Sequence, residues 1–325
     1  MKMELLSCLL LLLACCLVPL LLLRRRWRSR APPGPPSVPL LGSIPFLGVS
    51  RGFLSWFLDP RVTKHPLATV AIGPRTITVI NDLQLARELF DKDEFNGRSP
   101  EKFQLSHRFW NNVPRGIIFT QGPHWAGQRR FGLRTLKDFG FGKKVIEDAI
   151  HFEVDEMMDT CFAGTEDILL GADFNIPIIN ILWQMVANKR FSPSDQKDKK
   201  LMERVSTIFA IGQFAVSLVP LPVFYLLPKW VAKHTIHGRR VDSLEGVRDH
   251  LIEEVRKHQV DHDPSNSRDF IDVYLNEEKK GGGEFNVLDL TACIHDFFVA
   301  GTETSSTTLK WVLMHLVLNQ TVQDR

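Results

Sequence analysis

The sequence predicts a mainly α-helical fold with a small β-sheet, behind a single transmembrane helix at the N-terminus. Three observations predict it. From Lys144 onward, apolar residues recur at helical spacing in one segment after another. Two short runs, 69–72 and 76–80, alternate apolar and polar residues around Gly73-Pro74, the pattern of a hairpin. Residues 5–23 are nearly all apolar, and a helix of that length at about 1.5 Å per residue spans the roughly 30 Å hydrocarbon core of a bilayer.

Composition bounds the rest. A chain of 325 residues with 44% hydrophobic content can bury a large core. The net charge of +3 is small and does not indicate bulk nucleic-acid binding. Phe outnumbers Tyr by 22 to 2, which suits an apolar interior or pocket. Of the five cysteines, Cys8, Cys15 and Cys16 fall in the first apolar run, leaving Cys161 and Cys293 far apart. No disulfide framework or zinc spacing is visible, so a reducing compartment is expected.

Taken in order, residues 1–30 form the membrane anchor. Arg24, Arg25, Arg26, Arg28 and Arg30 follow the apolar run, against Lys2 before it, so the positive-inside rule puts the bulk of the protein in the cytosol. A cleaved signal peptide is disfavoured: the run is too long, and basic residues stand where small ones should be. Residues 31–43 hold Pro32-Pro33-Gly34-Pro35-Pro36, a stiff extended hinge. The remainder, 44–325, begins with the hairpin, and Asp82 then caps a helix to Phe90. Trp125 and Arg129 lie four apart on one helix face. They can offer an indole N–H and a guanidinium to one carboxylate; a Trp packed under an Arg stem is the plainer reading. Arg130, Arg134, Lys137, Lys143 and Lys144 make a basic surface there, a solvated face or a docking site for an acidic partner.

Helices are expected over 144–159, 176–187, 197–210 and 234–259. Residues 208–231 are apolar but carry Pro220, Pro222 and Pro228, which argues against a continuous second span and for a helix-loop-helix lid. A short helix covers 269–275, and 277–283 is a charged, glycine-rich loop. The last long helix starts at Asn286, with Asp289 in its first turn. Its middle, Ala300-Gly301-Thr302-Glu303-Thr304-Ser305-Ser306-Thr307-Thr308, gives up roughly 4 kcal/mol of helix propensity relative to alanine. A helix meant only for packing has little reason to carry that. Ala300 and Thr304 share a face. Gly301 lets a flat ligand approach the backbone. Thr304 can bond a carbonyl of the preceding turn, and Glu303 beside it can relay protons. A Ser/Thr-rich face turned to water is the competing reading.

At these residues the chain resembles the cytochrome P-450 superfamily of haem-thiolate monooxygenases, in its animal microsomal, family-2-like branch. The six residues from Ala300 to Ser305 match its Ala/Gly-Gly-x-Asp/Glu-Thr-Thr/Ser signature at every position. Phe95-Asn96-Gly97-Arg98 resembles its Phe-x-Gly-Arg segment, and the block from Gly122 through Trp125 and Arg129 to Phe131 resembles its Trp-x-x-x-Arg helix. The basic patch, proline hinge and Val38-Pro39-Leu40-Leu41-Gly42 are similar to the stand-off of the microsomal members. The resemblance implies a truncated cytochrome P-450 fold and a haem b cofactor. Arg98, Trp125 and Arg129 would meet its propionates, and Ala300 and Gly301 would line its face. Thr304 would steady bound dioxygen, and Glu303 would help deliver protons. It implies insertion of one oxygen atom into an apolar xenobiotic, steroid or fatty acid. Electrons would come from NADPH through a reductase, with cytochrome b5 as a further partner, at the endoplasmic reticulum membrane. The lid would gate an apolar substrate channel.

The resemblance spans nearly the whole chain, but the chain covers only the front of that fold. The cysteine loop that supplies the axial ligand is absent, so no metal ligand is assigned and the chain reads as a fragment. Cys293 sits on the oxygen side and is expected to be a buried structural thiol. Two rivals stand beside the enzyme: a catalytically inactive truncated isoform that binds lipophiles or the reductase, and an unrelated lipid-binding membrane protein. The second predicts that Trp125, Arg129 and Thr304 are spread apart.

Overall fold

The computed structural model describes residues 31–38, 41–47, 53–73, 75–98, 113–118, 120–161, 174–192, 195–210, 229–281 and 283–324. The chain divides into two compact units, changing over at Asn96 and Gly97.

The first unit is built on the expected hairpin. Strands β1 (Leu67–Ile72) and β2 (Arg75–Ile80) pair antiparallel, from Leu67 opposite Ile80 to Ile72 opposite Arg75. Side chains alternate across a strand, so Ala68, Val70 and Ile72 point inward together and meet Leu47, Trp56 and Val62. The short helices α1 (Ile44–Leu47), α2 (Phe53–Phe57) and α3 (Pro60–Thr63) carry those partners. Gly42 has φ +66, and a Cβ there would lie 2.3 Å from the Ala71 carbonyl oxygen. Only glycine allows the hinge to come that close to β1. Helix α4 (Leu83–Phe90) starts where expected, with the Asp82 carboxylate accepting the Leu85 N–H at 2.7 Å.

The second unit is helical: α5 (Gly122–Asp138), α6 (Val145–Cys161), α7 (Asn175–Ala187), α8 (Gln196–Ala210), α9 (Lys229–Ala232), α10 (Ile236–Asp261), α11 (Phe270–Lys279), α12 (Val287–Leu318) and α13 (Gln320–Gln323). Three of the helices begin at a side-chain cap. Thr235 accepts from Gly238, Asp269 from Asp272, and Asn286 from Asp289. Helix α12 packs against α7, α10 and α11. Its first turns bury Leu290, Ile294 and Phe298, and burying each such side chain contributes roughly 1.5–3 kcal/mol. Trp183 stacks on Phe191 at 5.3 Å and meets Phe298 edge-on at 4.9 Å. Phe131 of α5 meets Tyr274 of α11 edge-on at 5.3 Å.

Among the described residues no helix is long and apolar enough to cross a membrane. The expected anchor, residues 1–30, lies outside the described residues, as does the proline-bearing part of the expected lid, 211–228.

Candidate functional site

Helix α12 runs without a break through its glycine and hydroxyl residues. The reason is local. The Thr304 hydroxyl donates to the Ala300 carbonyl at 2.7 Å, and Thr308 donates to the Thr304 carbonyl at 2.8 Å. Such bonds to the residue four back keep polar side chains inside the helix's own hydrogen-bond ladder. The Thr307 hydroxyl donates to Glu303 Oε1 at 3.3 Å. Ala300 and Thr304 are exposed, Glu303 and Gly301 half-buried. The space beside Gly301 is taken: a Cβ there would lie 2.4 Å from Leu182 Cδ1. At this position the missing side chain first serves the packing of α7 on α12.

Asp289, Asp296, Ala300 and Thr304 are spaced seven, four and four apart, so they follow one stripe of the helix. Its buried end is occupied. Arg115 Nη1 donates to Asp289 Oδ1 at 2.7 Å, and His124 Nε2 lies 3.3 Å from Asp289 Oδ2. One turn before Ala300, Asp296 Oδ2 accepts the backbone N–H of Ile117 at 2.6 Å and of Ile118 at 2.9 Å. Gly116, with φ +82, is the bend that allows this; a Cβ there would sit 2.3 Å from the same oxygen.

The expected Trp and Arg residues gather on those two peptides. The Trp125 indole N–H donates to the Ile117 carbonyl at 2.9 Å. The Arg98 Nε–H donates to the Ile118 carbonyl at 3.2 Å, and the Arg98 backbone N–H donates to Gln121 Oε1 at 2.8 Å. Arg129 lies over the Trp125 ring, its guanidinium carbon 5.8 Å from the centroid, within cation–π range. Both arginines are exposed. The structure therefore joins Arg98, Trp125 and Arg129 through one loop to the turn of α12 that precedes Ala300. It commits the indole N–H to a protein carbonyl.

The joining residue, Asp296, was missed in the sequence. Its signal is faint: a His295-Asp296 pair inside an otherwise apolar run from Ala292 to Val299. Cys293 turns elsewhere. It is 1% exposed, with Sγ 3.7 Å from Gln128 Oε1, which also accepts the Tyr274 hydroxyl at 2.9 Å. Burial, with Asp296 and Asp289 adding to it, holds the thiol well above the ordinary cysteine value. It is a structural thiol, as expected.

The donor set fits a flat, mostly apolar group bearing carboxylates. Two exposed guanidiniums can meet the carboxylates, and a helix face with a small residue and a hydroxyl is open to a planar body. The Cys293 thiol lies against Gln128 instead.

A family model for cytochrome P450 matches residues 32–325. Cytochrome P450 2C55 of Rattus norvegicus is 30% identical over 302 residues, covering 89% of this chain and 59% of its own length. Cytochrome P450 2B4 of Oryctolagus cuniculus is 33% identical over 309 residues, 91% of this chain and 60% of its own length. Cytochrome P450 2C8 of Homo sapiens is 32% identical over 301 residues, 89% and 59%. The chain spans about three fifths of the length of these curated relatives.

Proposed function

The chain belongs to the cytochrome P450 family, and from that premise we propose that it supplies the oxygen-side wall and the propionate contacts of a haem monooxygenase acting on apolar organic substrates. The observation that carries this reading is the link through Asp296. One carboxylate of α12 fixes two peptides, and their carbonyls receive Trp125 and Arg98. The residues expected at the carboxylates of a bound porphyrin are thereby tied to the stripe expected at its face.

Bound, haem supplies the iron at which dioxygen is activated. The chain's own residues would bind it and line one side of it. Arg98 and Arg129 hold the carboxylates. Trp125 shields them, with its N–H held by the Ile117 carbonyl. Ala300 keeps the face of α12 flat. Thr304 has its proton committed to the Ala300 carbonyl, so its oxygen remains an acceptor toward the open side, where it can hold a water or a hydroxyl. Glu303, bonded to Thr307, is the acid that refills such a relay.

The family also supports electron supply from NADPH through a reductase, with cytochrome b5 as a further donor. Residence at the endoplasmic reticulum membrane, with the helical part in the cytosol, goes with it. Arg130, Arg134, Lys137, Lys143 and Lys144 are all exposed and offer a basic face to an acidic redox partner.

The test is titration of the purified chain with haem, followed by quenching of tryptophan fluorescence. Quenching saturates in the wild-type chain. Arg98→Ala with Arg129→Ala weakens binding about tenfold or more, since a hydrogen bond to a charged group contributes roughly 1.5–3 kcal/mol. A double variant that binds haem as tightly as wild type overturns the reading.

A further inference from the structure

Away from α12, the last turns of α10 meet the C-terminus of α7 and the N-terminus of α11 around one buried histidine. His258 is 4% exposed. Its Nδ1 lies 2.9 Å from the Glu254 carbonyl oxygen and 3.3 Å from Glu254 Oε1. Its Nε2 lies 3.0 Å from Asp269 Oδ2. Each ring nitrogen faces oxygens that accept. A neutral imidazole has one N–H and serves only one of them. Both bonds form together when the pair holds one more proton, which makes the ring an imidazolium beside a carboxylate.

The surrounding charges favour that proton. From α10 come Glu254, Lys257 and Asp261. From the segment after α7 comes Lys189, which pairs with Glu254. From the loop before α11 come Arg268 and Asp269, and from α11 comes Asp272, which binds Arg268 at 2.7 Å. That is four carboxylates against three permanent cations, and the protonated ring balances them. Most of these groups, with Ala187 and Asn188, border a cavity of about 100 Å³. His258, Asp269 and Asp272 are close enough together to suggest a metal ion. The carboxylates, however, already accept from Arg268, from His258 and from the Asp272 N–H, so the trio is not a metal centre.

Asp269 is also the N-cap of α11, with Oδ1 taking the Asp272 N–H at 3.0 Å while Oδ2 takes His258. Helix α11 in turn carries Tyr274, which donates to Gln128 of α5, the helix of Trp125 and Arg129. We infer that His258 is a proton-operated clasp: protonated, it bonds the Glu254 carbonyl of α10 and the cap of α11 at once, and on losing its proton it keeps only one of those bonds, which weakens the tie and loosens α11 beneath α5. The sign follows from the environment. Burial by itself lowers the histidine, but the Asp269 hydrogen bond, the Glu254 carbonyl and both carboxylate charges outweigh it and raise the ring above its ordinary value. A group raised in the folded state contributes fully below its unfolded pKa and loses that contribution as pH rises through the folded one. The clasp holds in full below about pH 6.5 and weakens above its raised value.

The test is amide hydrogen exchange on the full chain in detergent micelles, from about pH 6 to pH 9, corrected for intrinsic rates. Protection at Asp272 and Val273 falls as pH rises, by up to about tenfold for each unit of the histidine's elevation, while protection at Leu290 to Ile294 of α12 changes far less. His258→Gln flattens the pH dependence. Wild-type protection at Asp272 and Val273 that does not fall with pH overturns the clasp, and so does a His258→Gln chain that keeps the wild-type profile. The wild-type measurement decides the matter by itself if the variant does not fold.

Discussion

Two backbone N–H groups end on one oxygen of Asp296, and that oxygen belongs to a residue nearly 180 positions further along the chain. Asp296→Ala strands both donors in a partly buried place. Each bond to an ionised acceptor contributes roughly 1.5–3 kcal/mol, so denaturant unfolding should register a loss of about 3 kcal/mol or more. Asp296→Asn keeps an acceptor oxygen and should lose about half as much. Equal losses in the two variants would mean that the contact is steric. Gly116→Ala presses a methyl group against the same oxygen and forces a strained φ. Its cost should shrink in the Asp296→Ala background, a non-additivity expected only for residues in contact. At Cys293 the prediction is chemical. Burial holds the thiol up, and the thiolate is the nucleophile. Iodoacetamide at mildly alkaline pH should therefore leave this cysteine unmodified in the folded chain and alkylate it in urea, read by peptide mass spectrometry. Fast native modification would contradict its placement. Little of this was legible beforehand. The signature residues announce themselves by composition, but Asp296 is a polar residue in a helical run, and only the fold reveals that its partners are peptides of a distant loop.

At the scale of the helix, local chemistry was readable wherever it is local. Asp82 and Asn286 cap where their spacing with the first turn requires, and the hairpin turns at Gly73 because that glycine takes φ +58. Helix ends differ from expectation by a few residues: α10 runs over Ile236–Asp261 instead of 234–259, and α11 continues to Lys279 instead of ending at 275. Packing was less readable. Gly301 suggests room for a ligand, and the structure puts Leu182 of α7 against it. Gly301→Ala thus sets two effects against each other. Alanine favours the helix by about 1 kcal/mol, while overpacking costs about 1–3 kcal/mol. The net change should be a loss of up to about 2 kcal/mol in thermal or denaturant unfolding. Placed on a Leu182→Ala background, which opens the same space, the glycine substitution should become stabilising by roughly the propensity difference. An unchanged sign in that background would show that something other than Leu182 fills the gap.

At the scale of the molecule, both cores are closed, yet the second half of α12 is not. Leu309, Trp311, Val312, Met314, Val317 and Leu318 are exposed, Trp311 by 55% and Leu318 by 71%, and Val322 of α13 continues the patch. A groove of about 370 Å³ runs between Trp311, Val312, Leu316 and Val322. A helix that is apolar all round belongs in an interior, and for the same reason periodicity could not tell which of its sides would be covered. Contiguous exposed apolar surface of this kind is open to an apolar probe. The folded chain should therefore bind an apolar reporter dye. Trp311→Glu together with Val317→Glu should cut the dye signal several-fold. It should move the melting temperature by no more than a degree or two, because substitutions of exposed side chains that belong to no core, cap or buried network usually change stability by within about 0.5 kcal/mol. The reverse outcome, a chain that melts many degrees lower and whose dye binding is unchanged, would mean that these residues are already packed against other parts of the protein and that the open face lies elsewhere.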